Sequence, residues 1–246
     1  MQKELIKILK KVKDVLAKRF RKYDGKLPYI IITLVSAVVV IGGIKLFIEL
    51  TENLKSEYLA TFDTTLSNFF TNLRSPGLTG FYKFITDLGD TFGYVIVFSI
   101  STVFFYLKFK NWKYVAQIAL VMILALGSNL LLKNTINRAR PISEHLVTVK
   151  TLSFPSGHAT MAMAFYGFLI YLIFMFSMNK WVKSILITIL AFIILNIGIS
   201  RIYLGVHYPS DILGGFIAGF IWVIFCVMIF NLIKIFKRDS ATKKDL

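Results

Sequence analysis

The sequence predicts an all-α fold, a six-transmembrane-helix bundle with an amphipathic N-terminal helix and an interfacial outer helical segment. Three observations lead there. Only 17% of the 246 residues are charged while 56% are hydrophobic, against roughly a quarter charged in soluble chains. The apolar residues form six runs, near residues 29–50, 91–107, 114–132, 158–177, 182–199 and 211–233, each near the ~20 residues a helix needs to cross a hydrocarbon core. The basic residues alternate in density from one inter-span segment to the next, as they do when loops lie alternately inside and outside a membrane.

Residues 1–28 form a basic segment in which Leu5, Ile8, Leu9, Val12 and Leu16 recur at helical spacing among lysines. That pattern suits a helix lying on an anionic inner leaflet, or a solvated cytoplasmic helix that helps set topology. The first span reads as a retained anchor and not a signal peptide, because its apolar run is longer than a signal's and a long basic stretch precedes it. Between spans one and two, Phe62, Leu66, Phe69, Phe70 and Leu73 mark an interfacial helix. The second span is the shortest. Trp112 and Trp181, each beside lysine at the start of a span, suit an interfacial aromatic belt. The six-span region, 29–233, ends in a basic tail, 234–246. Cys226, the single cysteine, excludes an internal disulfide and a cysteine metal cluster, and reads as packing.

The net charge of +16 invites a nucleic-acid reading, which its distribution removes. Twenty of the 29 Lys and Arg fall on one side of the six spans, in the N-terminal segment, the loops after spans two and four, and the tail. The positive-inside rule places both termini in the cytoplasm of a multi-pass cell-membrane protein. Most of the surplus is therefore topological, and no nucleic-acid partner is called for.

Three polar clusters remain, all at the opposite ends of spans three to six. Lys133 is followed after six residues by Arg140-Pro141; Pro155-Ser156-Gly157-His158 opens span four; and Ser200-Arg201, His207 and Asp211 lead into span six. Their common side follows from the number of crossings alone. Lys133, Arg140 and Arg201, with the Ser156 hydroxyl and the peptide N–H groups around Gly157 at a helix N-terminus, describe a pocket for a dense anion such as phosphate. His158 and His207 supply groups able to attack and to move protons near neutral pH. If Pro209 begins the last helix, the Asp211 carboxylate reaches back to one ring nitrogen of His207 and leaves the other free. Carboxylates in these clusters are limited to Glu144 and Asp211, too few for a two-metal site, so neither metal nor other cofactor is expected. Asn129 reads as an interhelical hydrogen-bonding group, His145 as a surface residue and Arg138 as a solvated loop charge.

The clusters resemble, with no departure at any motif position, the three-part signature of the type 2 phosphatidic acid phosphatase family of integral membrane lipid phosphatases. The likeness is strong over residues 130–211, and the stretch from Phe62-Asp63 to Leu88-Gly89 looks like bacterial glycerophospholipid phosphatases. It implies His207 as nucleophile through a phosphohistidine, Asp211 orienting it, and His158 as general acid. Lys133, Arg140, Ser156, Gly157 and Arg201 would hold the phosphoryl oxygens. The implied substrates are phosphatidylglycerophosphate or phosphatidic acid, with undecaprenyl diphosphate, the cell-wall carrier, as the alternative. Membrane lipids are the expected surroundings and the active site would face outward. Vanadate-dependent haloperoxidases share the residue pattern, so the motifs define an oxyanion pocket more firmly than a reaction. A lipid phosphotransferase and a non-enzymatic lipid binder are the competing classes; a full His207, His158 and Asp211 set argues against mere binding.

Overall fold

The computed structural model describes residues 27–149 and 151–242; the predicted N-terminal amphipathic helix lies outside the described residues. Eight α-helices follow one another: α1 (Leu27–Glu52), α2 (Glu57–Asn72), α3 (Pro76–Asp87), α4 (Thr91–Phe109), α5 (Lys113–Ile136), α6 (Gly157–Met175), α7 (Lys180–Tyr203) and α8 (Pro209–Thr242). There is no strand among the described residues. Six of the helices, all but α2 and α3, are long and apolar enough to cross a membrane, which is the predicted set of spans. Residues 39–226 form one compact unit, and the beginning of α1 and the end of α8 belong to another. The larger unit holds every motif residue.

Local sequence sets the helix ends. Ser56, Ser75 and Ser156 cap α2, α3 and α6, each hydroxyl accepting from the backbone N–H three residues on, and the Asn179 side chain caps α7. Pro76 and Pro209 stand at first helical positions, where a missing N–H costs nothing. Lys110 and Asn137 take left-handed conformations that stop α4 and α5.

The outer segment departs from expectation by forming two helices, α2 and α3, where one was predicted. Arg74-Ser75-Pro76 breaks the run, since proline disfavours helix in the residue before it. Both helices pack on α7. The Tyr203 hydroxyl accepts from Ser75 N at 3.0 Å, and the Arg74 guanidinium donates to Tyr203 O at 3.1 Å. Helix ends also run further than predicted. α5 continues to Ile136 and α7 to Tyr203, so Lys133 and Arg201 sit on helices.

α6 is the most buried span and the centre of the larger unit, between α5 and α7. α8 approaches it closely through glycines. A Cβ on Gly215 would stand 2.7 Å from Ser156 O and from Ala159 Cβ, and one on Gly219 would stand 2.4 Å from Thr160 O. This is the small-residue contact that membrane helices use in place of a hydrophobic driving force. Ala159, Ile202 and Ile212 form one core cluster, and Phe47, Phe154 and Ala218 another. Ile96, Ile123, Ile189 and Phe192 point outward, the apolar belt that lipid covers.

Candidate active site

The N-termini of α6 and α8 and the C-termini of α5 and α7 meet at one end of the bundle, enclosing a polar cavity of about 210 Å³. Lys133, Arg140, Gly157, His158, Arg201 and His207 line it together. These residues are up to 74 positions apart in sequence, and the fold gathers them because α5, α6, α7 and α8 alternate in direction. Ser156 and Asp211 lie directly behind the wall, fully buried. Ser156 caps α6 with its hydroxyl, and its N–H donates to Asp211 O at 3.0 Å, joining the α6 entrance to α8.

His207 has its ring chemistry fixed by its neighbours. Its Nδ1 lies 3.2 Å from Asp211 Oδ2. The Arg140 guanidinium, which can only donate, points Nη1 at His207 Nε2 over 3.2 Å. The consistent tautomer carries its proton on Nδ1, toward Asp211, and keeps the Nε2 lone pair toward the cavity. Burial, opposed by Asp211 but assisted by the Arg140 and Arg201 charges, pushes the His207 pKa down to about 3. The imidazole is thus neutral across the physiological range. The helical start at Pro209 is what places Asp211 one turn on, where its carboxylate also accepts from Tyr208 N at 2.8 Å.

Arg138 is not the solvated loop charge expected of it. Its guanidinium donates to Asp211 Oδ1 at 2.6 Å, to Ser210 Oγ at 2.7 Å and to Asp63 Oδ2 at 2.8 Å, and it lies over the Tyr208 ring at 4.3 Å. Burial works against its charge, but Asp211 and Asp63 outweigh that and raise its pKa. Asp63, buried on α2, also accepts from Ser210 N and Ser210 Oγ. Ser153 Oγ adds a 2.5 Å bond to Asp211 Oδ2. The carboxylate behind His207 is therefore held by Arg138, Ser153, Tyr208 N and the His207 ring, and Asp63 in turn holds Arg138; neither Ser153 nor Asp63 belongs to the three spaced motifs. Asp63 did carry a signal: it is a charge on the face that Leu59 and Phe70 turn toward the core.

The three cations are held differently. Lys133 Nζ donates to Leu152 O and Ser153 O, and Arg140 to Thr151 O and Val206 O. Burial also lowers the Arg140 pKa, an electrostatic strain that an anion would relieve. Arg201 Nη1 donates to Thr86 Oγ1 at 2.7 Å, while its buried Nε has no hydrogen-bond partner among the described residues. A buried donor without an acceptor is costly, and here it adjoins a cavity walled by three positive charges. His158, at the start of α6, has Nε2 2.8 Å from Asp90 Oδ1, at ion-pair distance but off the hydrogen-bond line. Pairing with His158 holds the Asp90 carboxyl below its usual range.

Residues outside the site also find their places. Asn129 bridges α5 to α6 by donating to Pro155 O and Thr160 Oγ1, as expected of an interhelical group. His145 donates to Pro141 O in the exposed loop and takes no part in the cavity. Among the described residues, no three His, Cys, Asp or Glu side chains converge as a metal-ligand set.

The model of the PAP2 superfamily matches residues 113–234. Phosphatidylglycerophosphatase B of Bacillus subtilis is 32% identical over 207 residues, covering 80% of this chain and 93% of that protein. Lipid A 4'-phosphatase of Bacteroides thetaiotaomicron is 33% identical over 181 residues, covering 66% of this chain and 74% of the other. The crystal structure of a transmembrane PAP2-type phosphatidylglycerolphosphate phosphatase from Bacillus subtilis superposes with a TM-score of 0.71 at 29% identity, over 78% of this chain and 95% of its own. With its spans, its motifs and a relative matched over nearly its whole length, the chain belongs to the PAP2 superfamily, among its multi-pass membrane lipid phosphatases.

Proposed function

We propose that the protein hydrolyses the phosphomonoester or diphosphate of a membrane lipid, with phosphatidylglycerophosphate and phosphatidic acid as its substrates, through a phosphohistidine on His207. One observation carries the lipid part of this reading. An apolar groove of about 490 Å³ runs between α4, α5 and α6, lined by Tyr94, Phe98, Met122, Ile123 and Leu126, and it shares Asp90, Gly157 and His158 with the cationic cavity. A lipid entering from the bilayer can leave an acyl chain in the groove while its headgroup phosphate meets Lys133, Arg140 and Arg201. The likeness to phosphatidylglycerophosphatase B supports the choice of headgroup.

In this reading the His207 Nε2 lone pair attacks phosphorus, Asp211 stabilises the positive imidazole that results, and the ester oxygen leaves with a proton from His158. His158 then takes a proton from water as that water attacks the phosphohistidine, the P–N bond breaks and phosphate departs. The Ser156 cap and the backbone N–H groups opening α6, with the three cations, supply the charge stabilisation that Mg²⁺ gives other phosphoryl-transfer enzymes. Positive charge concentrated on the opposite side of the spans supports a cavity on the extracytoplasmic face and both termini in the cytoplasm.

The test is purified protein in detergent assayed for phosphate release from phosphatidylglycerophosphate, phosphatidic acid and undecaprenyl diphosphate, with and without EDTA. Release from the first two, unaffected by EDTA, is expected. Turnover confined to undecaprenyl diphosphate would replace the substrate assignment; reversible inhibition by EDTA would overturn the metal-independent mechanism; transfer of the phosphoryl group to a second lipid would make the protein a phosphotransferase.

A further inference from the structure

Asp90 occupies the N-cap of α4 yet makes no capping hydrogen bond with its side chain, although aspartate is among the residues best suited to that task. Its carboxylate turns instead toward α6 and stops 2.8 Å from His158 Nε2. The turn that carries it is built to press there. A Cβ on Gly89 would stand 3.1 Å from His158 Cδ2 and 2.8 Å from Ile197 Cγ2; a Cβ on Gly93 would stand 2.2 Å from Asp87 O. The Tyr166 hydroxyl, one α6 face away, donates to Leu88 O at 2.8 Å and fixes the turn to the same helix that bears His158.

The charges around the imidazole explain what a carboxylate would do there. Lys133 from α5, Arg140 from the following loop and Arg201 from α7 share the cavity with His158, and His207 faces it from the loop before α8. Three cations oppose a proton on the ring. Asp87, at the end of α3, and Asp90 are the carboxylates in the same wall, and Asp90 is the one in contact with the ring.

We propose that Asp90 is a positioning residue that favours the protonated form of His158 against the surrounding cations and fixes one proton on Nε2, so that the proton delivered to the leaving oxygen comes from Nδ1. The inference rests on the reading of His158 as general acid. When the P–O bond breaks, its electron pair goes to the leaving oxygen, which takes the Nδ1 proton; the Nε2 proton stays beside Asp90. In the second step water returns a proton to Nδ1 as it attacks phosphorus and the P–N bond breaks, so no other reactant is needed. The off-line approach of Asp90 to Nε2 is the looseness that catalytic hydrogen bonds show before substrate aligns them.

Two substrates that share the groove separate this role from a structural one. The leaving group from phosphatidic acid is a basic alkoxide, which needs the proton; from diacylglycerol diphosphate it is phosphatidate, which needs it far less. Asp90→Asn is expected to lower kcat on phosphatidic acid by about tenfold or more and on the diphosphate by no more than about threefold, with Asp90→Glu recovering most of the loss. The alkaline limb of kcat on phosphatidic acid should also move to lower pH in Asp90→Asn, a readout that needs only that one substrate. Equal losses on both lipids, or an alkaline limb that does not move, would overturn the role of Asp90. His158→Ala is the control: if it too lacks leaving-group dependence, the general-acid reading fails, whereas dependence in His158→Ala without it in Asp90→Asn sinks the Asp90 inference alone.

Discussion

His207 can present a lone pair because each contact on its ring permits only one protonation pattern: a carboxylate at Nδ1 and a guanidinium at Nε2. The same logic continues outward, where Asp211 is balanced by Arg138 and Arg138 by Asp63. Removing Arg138 would leave two buried carboxylates facing one another, and breaking such a pair typically costs about 3–5 kcal/mol. Arg138→Met is therefore expected to lower the thermal unfolding midpoint in detergent and to reduce kcat far more than KM, measured on the same preparation. A midpoint and kcat close to the native enzyme would show that the network is incidental. At this scale the sequence revealed residues whose chemistry is tied to spacing, namely Lys133, Arg140, His158, Arg201, His207 and Asp211. Arg138 was misread because a guanidinium near a proline loop looks solvated until a carboxylate 75 positions away arrives beside it.

Among the elements, the spans were legible because each is a long apolar run, and the reason their polar ends were not is also physical. Lys133 and Arg201 face an internal cavity, where ionisable groups are tolerated on membrane helices, so helix continued past the point where hydrophobicity stopped. The α2–α3 division turned on one proline. Close approach of α6 and α8 depends on Gly215 and Gly219, and it fixes both helix starts at which the candidate catalytic groups stand. Gly219→Val forces a side chain against Thr160 O, which a Cβ alone would already meet at 2.4 Å. Overpacking of this kind costs about 1–3 kcal/mol, so a lower unfolding midpoint together with lost turnover is expected. A variant with native midpoint and rate would mean that the helices separate without disturbing the site.

For the molecule as a whole, burial of a neutral His207 couples stability to acid. Its pKa falls from 6.5 to about 3 on folding, so between those values the unfolded chain binds a proton that the native one refuses. Stability rises with pH wherever the unfolded state binds more protons. The contribution is complete above pH 6.5 and is lost progressively as pH falls toward 3. Asp90, whose carboxyl is held low by His158, adds a loss of the same sign below the ordinary carboxylate range. Unfolding midpoints measured from pH 8 down to 4 should decline; a flat profile would mean that His207 is charged or solvated in the native protein. The basic surplus that dominates the composition plays little part in this balance, since most of it lies outside the three motif clusters.

The central claim is that His207 carries the phosphoryl group. Enzyme mixed with lipid phosphate labelled in its phosphorus and quenched in alkali within one turnover should retain label in a base-stable, acid-labile protein adduct, and His207→Ala should retain neither label nor phosphate release while still eluting as folded protein. Undiminished labelling or turnover in His207→Ala would contradict the account.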